Sequence, residues 1–229
     1  MHRGQTISVV IPCYNEEDGI QKVIPGLPDC VDEIVVADNN SKDRTAEVAR
    51  ALGAKVVLET RQGYGAAYKR GLAAATQEIV VTMDGDCTYP MDAIPGLVDF
   101  LLDRDLDFVS AARFPLRDPR AMKFSNKLGN WILTAAVRLL YGTRLADSQS
   151  GMWVFRRRVL PLLHLTSDGM PFSEEIKIEA VRHPKIRFAE HHIDYRPRVG
   201  EVKLRRWRDG WENLRFLAQK RFCRPPAVE

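Results

Sequence analysis

Two carboxylates, Asp84 and Asp86, stand on either side of Gly85 at the end of a β-branched run, Ile79-Val80-Val81-Thr82. Such a run predicts a buried strand. On a straight strand, residues two apart face one side, so both acids project together. Paired hard oxygen donors suit Mg²⁺ or Mn²⁺, ions that commonly arrive with phosphates. A strand ending in acids also delivers them where open α/β sheets bind ligands. Taken alone, Asp-Gly-Asp reads first as an ordinary polar turn, and its surroundings reverse that order.

Other chemistry-bearing residues follow the neighbouring strands. Pro12-Cys13-Tyr14-Asn15-Glu16 comes after the run Ile7–Ile11, and Glu16 and Glu17 fall near the positive end of the next helix. Glu33–Ala37 leads into Asp38, and the turn 39–45 caps a helix running to about Leu52. Residues 196–208 concentrate basic side chains, and on the residues alone they read equally as a solvated basic surface or as cations, Arg198 and Lys203, that assist a leaving diphosphate. His191 and His192 are strand neighbours that point to opposite faces, so they are structural residues. Gly63-Tyr64-Gly65 lacks the Lys-Ser/Thr ending of a P-loop and is expected to be a helix entry under the ligand.

These positions imply a frame. Through residue 112, short strands alternate with helices, which predicts βαβ units and a parallel sheet covered on both faces. The rhythm then changes. A long helix is expected over about 122–141, a strand at 152–155, a helix over about 173–182, extended segments at 186–189 and 192–195, and a basic terminal helix over about 207–222.

The bulk numbers bound the class. With 229 residues, 45% hydrophobic and 28% charged, the chain can bury a sizeable core. A formal net charge of +4 is too mild to argue for a nucleic-acid partner. Cys13, Cys30, Cys87 and Cys223 share no metal-ligand or CxxC spacing, as expected of free thiols in a reducing compartment. No apolar leader precedes the first strand, and no run approaches the about 18 apolar residues that span a bilayer. The expectation is a soluble or peripheral chain rather than an integral one, cytoplasmic and, from the greasy character of its long and terminal helices, peripheral on the cytoplasmic membrane face.

Taken in order, Pro12–Glu16, Asp38–Thr45, Asp84-Gly85-Asp86, Asp147-Ser148-Gln149-Ser150-Gly151-Met152 and Arg198–Leu204 resemble the motifs of family 2 glycosyltransferases of the GT-A fold. The subgroup most resembled is the polyprenyl-phosphate (dolichyl-phosphate) sugar synthases, and the resemblance covers essentially the whole chain. It implies an α/β, Rossmann-like three-layer sandwich with a mostly parallel central sheet. It further implies one domain over residues 1–229, with a nucleotide-binding half at 1–112, an acceptor half at 113–206 and a basic amphipathic helix and tail at 207–229.

The activity implied is that of an inverting, metal-dependent hexosyltransferase. Its donor would be GDP-mannose, UDP-glucose or UDP-N-acetylglucosamine and its acceptor a polyprenyl phosphate. The same donor chemistry on a soluble or glycan hydroxyl is the alternative. By resemblance, Pro12, Tyr14, Glu16, Asp38, Asp84, Arg198 and Lys203 bind the nucleotide sugar, and Asp84 and Asp86 form the DxD motif that holds Mg²⁺ or Mn²⁺. Arg113, Lys123 and Lys127 hold the acceptor phosphate. Asp86, Arg113 and Glu175 are assigned to the chemistry, since Glu174 and Glu175 sit where many relatives carry a catalytic carboxylate. Asp147 is expected to orient Arg113 or a helix end. The chain departs from many relatives in having Asn39 for a second Asp, Arg44 for Gly, and Thr88 where some mannosyl relatives have Gln.

A lipid phosphate is already an anion and needs cations to position it, whereas a hydroxyl acceptor needs a base. Trp131-Ile132-Leu133, Val137, Leu139 and Leu140 make the long helix greasy. The terminal helix interleaves Trp207, Trp211 and Phe222 with basic residues, a pattern that suits either a membrane interface or core packing.

Overall fold

The computed structural model describes residues 1–200 and 206–223. Seven strands form one sheet: β1 (Ile7–Cys13), β2 (Glu33–Asp38), β3 (Lys55–Leu58), β4 (Ile79–Thr82), β5 (Phe108–Ala112), β6 (Trp153–Arg156) and β7 (Phe188–His192). Their spatial order is β3-β2-β1-β4-β6-β5-β7. The helices are α1 (Glu17–Val23), α2 (Thr45–Ala51), α3 (Tyr64–Ala74), α4 (Ile94–Asp103), α5 (Phe124–Tyr141), α6 (Phe172–Arg182) and α7 (Arg206–Phe222).

The side-chain alternation of the strands builds the three layers. Ile7, Val9 and Ile11 of β1, with Ile79 and Val81 of β4, face α1 and α4, where they meet Ile20, Leu97 and Leu101. Val10, Val80, Trp153 and Phe155 face the other way, onto Tyr68 and Leu72 of α3 and Phe172 and Ile176 of α6. Both faces are covered, so the strands are apolar on both sides. A smaller cluster, Val137, Tyr141, Ile178 and Leu217, joins α5, α6 and α7.

Strands β1 to β4 are mutually parallel, as the alternating pattern predicts. Strand β6 departs from it, running antiparallel between β4 and β5 with Thr82 opposite Trp153 and Ile79 opposite Arg156. Because β6 runs against β4, its entry lies beside the carboxyl end of β4. The segment 147–151 is thereby delivered to the Asp84–Asp86 loop. Helix α6 begins at Phe172 without a side-chain cap, and Ser173 lies inside its first turn. The two extended segments expected near 186–195 resolve into the single strand β7, parallel to β5.

Candidate active site

The loops after β1 and β2 are laced together. Asn15, at φ 52°, donates its backbone N–H to Ser41 Oγ (3.0 Å) and accepts Lys42 N–H at its Oδ1 (2.7 Å). The Glu16 N–H reaches Thr45 Oγ1 (2.9 Å). Asp38 turns inward, is buried and accepts the Ser41 N–H at 3.3 Å. Asn39 organises the next loop. Its Nδ2 donates to the carbonyls of Glu59 (3.1 Å) and Arg61 (2.7 Å), and its Oδ1 accepts the Gly63 N–H (2.8 Å). An ionised Asp has no donor for those two carbonyls, so Asn suits this position where relatives carry Asp.

Strand β4 ends below these loops. The Gly85 position abuts Cys13 Sγ and Ile20, so the glycine serves packing against α1 as well as the bend. Asp86 is buried. Its Oδ1 accepts the Thr88 N–H (3.0 Å) and hydroxyl (2.6 Å), and its Oδ2 accepts Arg198 Nη1 (2.8 Å). The other arm of Arg198, Nη2, reaches Glu16 Oε1 (2.5 Å), so one guanidinium ties the β1 loop to the β4 loop. The segment that carries it is pinned by Arg196 N–H to Thr88 O and Val199 N–H to Asp86 O, both 2.9 Å. Asp84 accepts from the Tyr64 hydroxyl at 3.2 Å. Burial, and then the neighbouring Asp86 charge, push its carboxyl up to about 7, against the pull of the Tyr64 hydrogen bond and Arg198.

These groups surround one cleft of about 640 Å³, within the range of small-molecule sites. Of the residues expected to hold the donor, Pro12, Tyr14, Glu16, Asp84, Asp86 and Arg198 line it. Asp38 does not; the next residue, Asn39, takes its place on the wall. Lys203 lies outside the described residues. The wall also includes residues the sequence reading did not assign, among them Tyr64, Met170, Arg208 and Glu212. Tyr64 carried a signal in the Gly-Tyr-Gly triplet. The return of α7 to the cleft depends on long-range packing that no local pattern encodes.

A divalent cation fits this donor set. Two oxygen-bearing side chains line the same end of the cleft, and a bound cation there would relieve the burial and the Asp86 charge that raise Asp84. Among the described residues no third His, Cys, Asp or Glu joins them.

The expected acceptor and base residues lie elsewhere. Arg113 is buried, not a cleft residue. Its Nε donates to Asp147 Oδ2 (2.7 Å), and its Nη2 to Asp147 Oδ1 (2.9 Å) and Asn130 Oδ1 (2.8 Å). Burial alone would raise Asp147, but the charge and hydrogen bonds of Arg113 outweigh it and hold the carboxyl well below its usual range. Asp147 therefore orients Arg113, while a buried bidentate pair leaves that side of the guanidinium committed. Lys123 is exposed at the start of α5, and Lys127 Nζ donates to Pro119 O (3.0 Å).

Glu175, assigned to the chemistry from sequence, is fully buried and is not among the residues lining the cleft. It accepts the N–H groups of Thr166 and Ser167 (3.0 and 2.8 Å) and pairs with Lys220 of α7 at 2.9 Å. Glu174 is also buried and accepts from Gln149 Nε2, and burial pushes it up to about 8. Acids in a first helical turn were used here to anchor packing. Lys177 Nζ, beneath them, donates to Asp147 O (3.1 Å) and Ser150 O (2.7 Å), holding the segment that abuts Asp84.

The model of the family described as glycosyl transferase family 2 matches residues 8–162. The chain belongs to that family. It is 34% identical over 220 residues to a low-salt glycan biosynthesis hexosyltransferase of Haloferax volcanii, covering 93% of this chain and 53% of the relative. The chain thus spans about half the length of that relative. It is 35% identical over 201 residues to a dolichyl-phosphate hexose transferase of the same organism, covering 86% of each. Among solved structures, glucosyl-3-phosphoglycerate synthase of Mycobacterium tuberculosis in complex with Mg²⁺ and UDP matches at TM-score 0.77 and 28% identity, covering 98% of this chain and 82% of that one. The same enzyme with Mn²⁺, UDP and phosphoglyceric acid matches at TM-score 0.76.

Proposed function

We propose that this family 2 glycosyltransferase moves a hexose, with inversion, from a nucleoside-diphosphate sugar to a polyprenyl phosphate at the cytoplasmic membrane surface. The donor side rests on the cleft. Pro12, Tyr14 and Asn39 form the wall for the nucleoside, and Arg198 brings positive charge toward the diphosphate. Asp84 and Asp86 would hold Mg²⁺ or Mn²⁺, the ions present with UDP in the mycobacterial structures. When bound, such an ion supplies Lewis-acid charge to the departing diphosphate. The acceptor phosphate oxygen forms the new bond to the anomeric carbon as the bond to the nucleoside diphosphate breaks, with no proton to remove.

The observation that carries the acceptor is an exposed apolar ridge on α5. Phe124, Leu128, Trp131, Ile132, Ala135 and Leu139 recur at helical spacing, with Phe124 79%, Trp131 69% and Leu139 86% exposed. Contiguous exposed apolar surface of this kind marks an interaction site. Lys123 opens the ridge and Lys127 lies one turn on, so the headgroup anion has cations where the lipid has apolar surface. Among the described residues no helix is long and apolar enough to cross a membrane, so the ridge would lie on the bilayer. The relative named dolichyl-phosphate hexose transferase points the same way. The engagement of Glu174 and Glu175 in packing also favours an acceptor that needs no base.

A soluble phosphorylated acceptor is the second reading, favoured by the phosphoglyceric acid in a structure that matches 98% of the chain. The two separate in one assay. The protein is incubated with labelled UDP-glucose, UDP-N-acetylglucosamine or GDP-mannose, with vesicles containing dolichyl phosphate and with 3-phosphoglycerate. Label in the lipid extract, lost on adding EDTA, is expected. Label confined to a water-soluble product would replace the lipid acceptor with the soluble one.

A further inference from the structure

The Gly63-Tyr64-Gly65 triplet opens α3 and holds no phosphate-loop signature, yet its tyrosine reaches the end of β4. Asp84 Oδ1 receives the Tyr64 hydroxyl at 3.2 Å and the Tyr68 hydroxyl at 3.5 Å. Tyr68 lies closer to Gly151 O, at 3.1 Å, so its proton goes to that carbonyl and Tyr64 supplies the one on Asp84. We propose that Tyr64 is a positioning residue for the metal site, its hydroxyl fixing the orientation in which Asp84 meets the divalent cation. The proposal rests on the reading of Asp84 and Asp86 as cation ligands.

Three contacts fix that hydroxyl. The ring stands edge-on to Tyr68 at 4.8 Å between centroids, and Tyr68 is itself fully buried and stacked on Phe172 at 5.6 Å. The first turn of α3 is tied to the segment before α6, through Gly65 N–H to Gly169 O (3.2 Å) and Ala66 N–H to Asp168 O (3.0 Å). Gly151, at the entry to β6, closes the third side. A Cβ on it would run into the Tyr64 hydroxyl and come within 3.4 Å of Asp84 Oδ1. The hydroxyl thus fills the space a side chain at 151 would take and is wedged against the carboxylate. Asp86 has separate supports in Thr88 and Arg198. Removing the Tyr64 hydroxyl therefore loosens one ligand and leaves the other in place. Partners that orient metal ligands in this way set affinity as well as geometry.

The test is Mn²⁺ titration of the purified full chain with UDP or GDP present, alongside nucleotide binding without metal. Tyr64→Phe keeps the ring and its packing. It is expected to weaken Mn²⁺ binding about tenfold. Metal-free nucleotide binding, to which a cleft residue also contributes, is measured in the same variant, and the loss is read as the ratio of the two affinities; a cooperative thermal transition checks that the variant is folded. Gly151→Ala is expected to weaken Mn²⁺ binding as well, by pushing the hydroxyl off Asp84. The double variant should bind Mn²⁺ about as Tyr64→Phe does, since the Tyr64 hydroxyl is the near atom an added methyl would clash with, while Asp84 Oδ1 and the Tyr89 hydroxyl, both at 3.4 Å, lie at ordinary contact distance. Such non-additivity marks residues that act through one contact. Wild-type Mn²⁺ affinity in a folded Tyr64→Phe variant would overturn the role of Tyr64 alone. Failure of the wild-type protein to take up Mn²⁺ with either nucleotide would overturn the metal reading along with it.

Discussion

Glu174 is a buried acid whose Oε2, among the described residues, has no hydrogen-bond partner and whose Oε1 accepts from Gln149. Burial pushes its carboxyl up to about 8, from an ordinary value near 4.5. The folded protein therefore holds a proton there that the unfolded chain has released. Stability then falls as pH rises through the window from about 4.5 to 8 and levels off above it. Gln reproduces the protonated acid at all pH values. Glu174→Gln is thus expected to melt several degrees above wild type at pH 8.5, with the gap closing by about pH 4.5, as roughly 1 kcal/mol corresponds to about 2–4 °C at this chain length. Differential scanning calorimetry at the two pH values checks it, and a pH-independent gap would show that Glu174 is ionised in the fold. The same geometry bears on the sequence reading of Glu175, which is buried and is not among the residues lining the cleft. Two acids in a first helical turn look alike whether they face solvent, substrate or the core, and only the packing of 166–167 and α7 on Glu175 decides.

At the scale of elements, α5 has two unlike faces. Leu133, Val137 and Tyr141 pack inward, while Phe124, Leu128, Trp131 and Leu139 point outward. Apolar periodicity made the helix legible, but a stripe wide enough to wrap the helix left open which part was core. Tertiary packing on α6 and α7 settled that. Strand β6 was legible as a strand, yet its antiparallel insertion between β4 and β5 was not, because a four-residue apolar run fits either direction. That insertion is what brings Gly151 to Asp84. The outward face of α5 predicts that Trp131→Glu with Leu139→Glu abolishes co-sedimentation with vesicles containing anionic lipid and dolichyl phosphate. Metal-dependent hydrolysis of the nucleotide sugar in solution should be retained, because neither residue touches the cleft. Unchanged vesicle binding would remove the ridge as the membrane contact.

At the scale of the molecule, the first four strands set a parallel platform whose carboxyl ends supply the β1 loop, the Asn39 hinge and the Asp84–Asp86 pair. The later segments then close over it, with Arg198 bridging two of those loops and α7 adding Arg208 and Glu212 to the wall. The platform was legible because strand-end motifs sit in fixed order along the chain. The closure was not, because Arg198 meets Glu16 across 182 residues of sequence. The central claim is that one cleft at these strand ends holds the donor nucleotide against a cation on Asp84 and Asp86. The most direct measurement is a crystal structure with Mn²⁺ and UDP or GDP, using the manganese anomalous signal. The account predicts a manganese peak between the two carboxylates, with the diphosphate beside Arg198 and the nucleoside against Pro12 and Tyr14. A nucleotide bound elsewhere, or manganese away from Asp84 and Asp86, would contradict it.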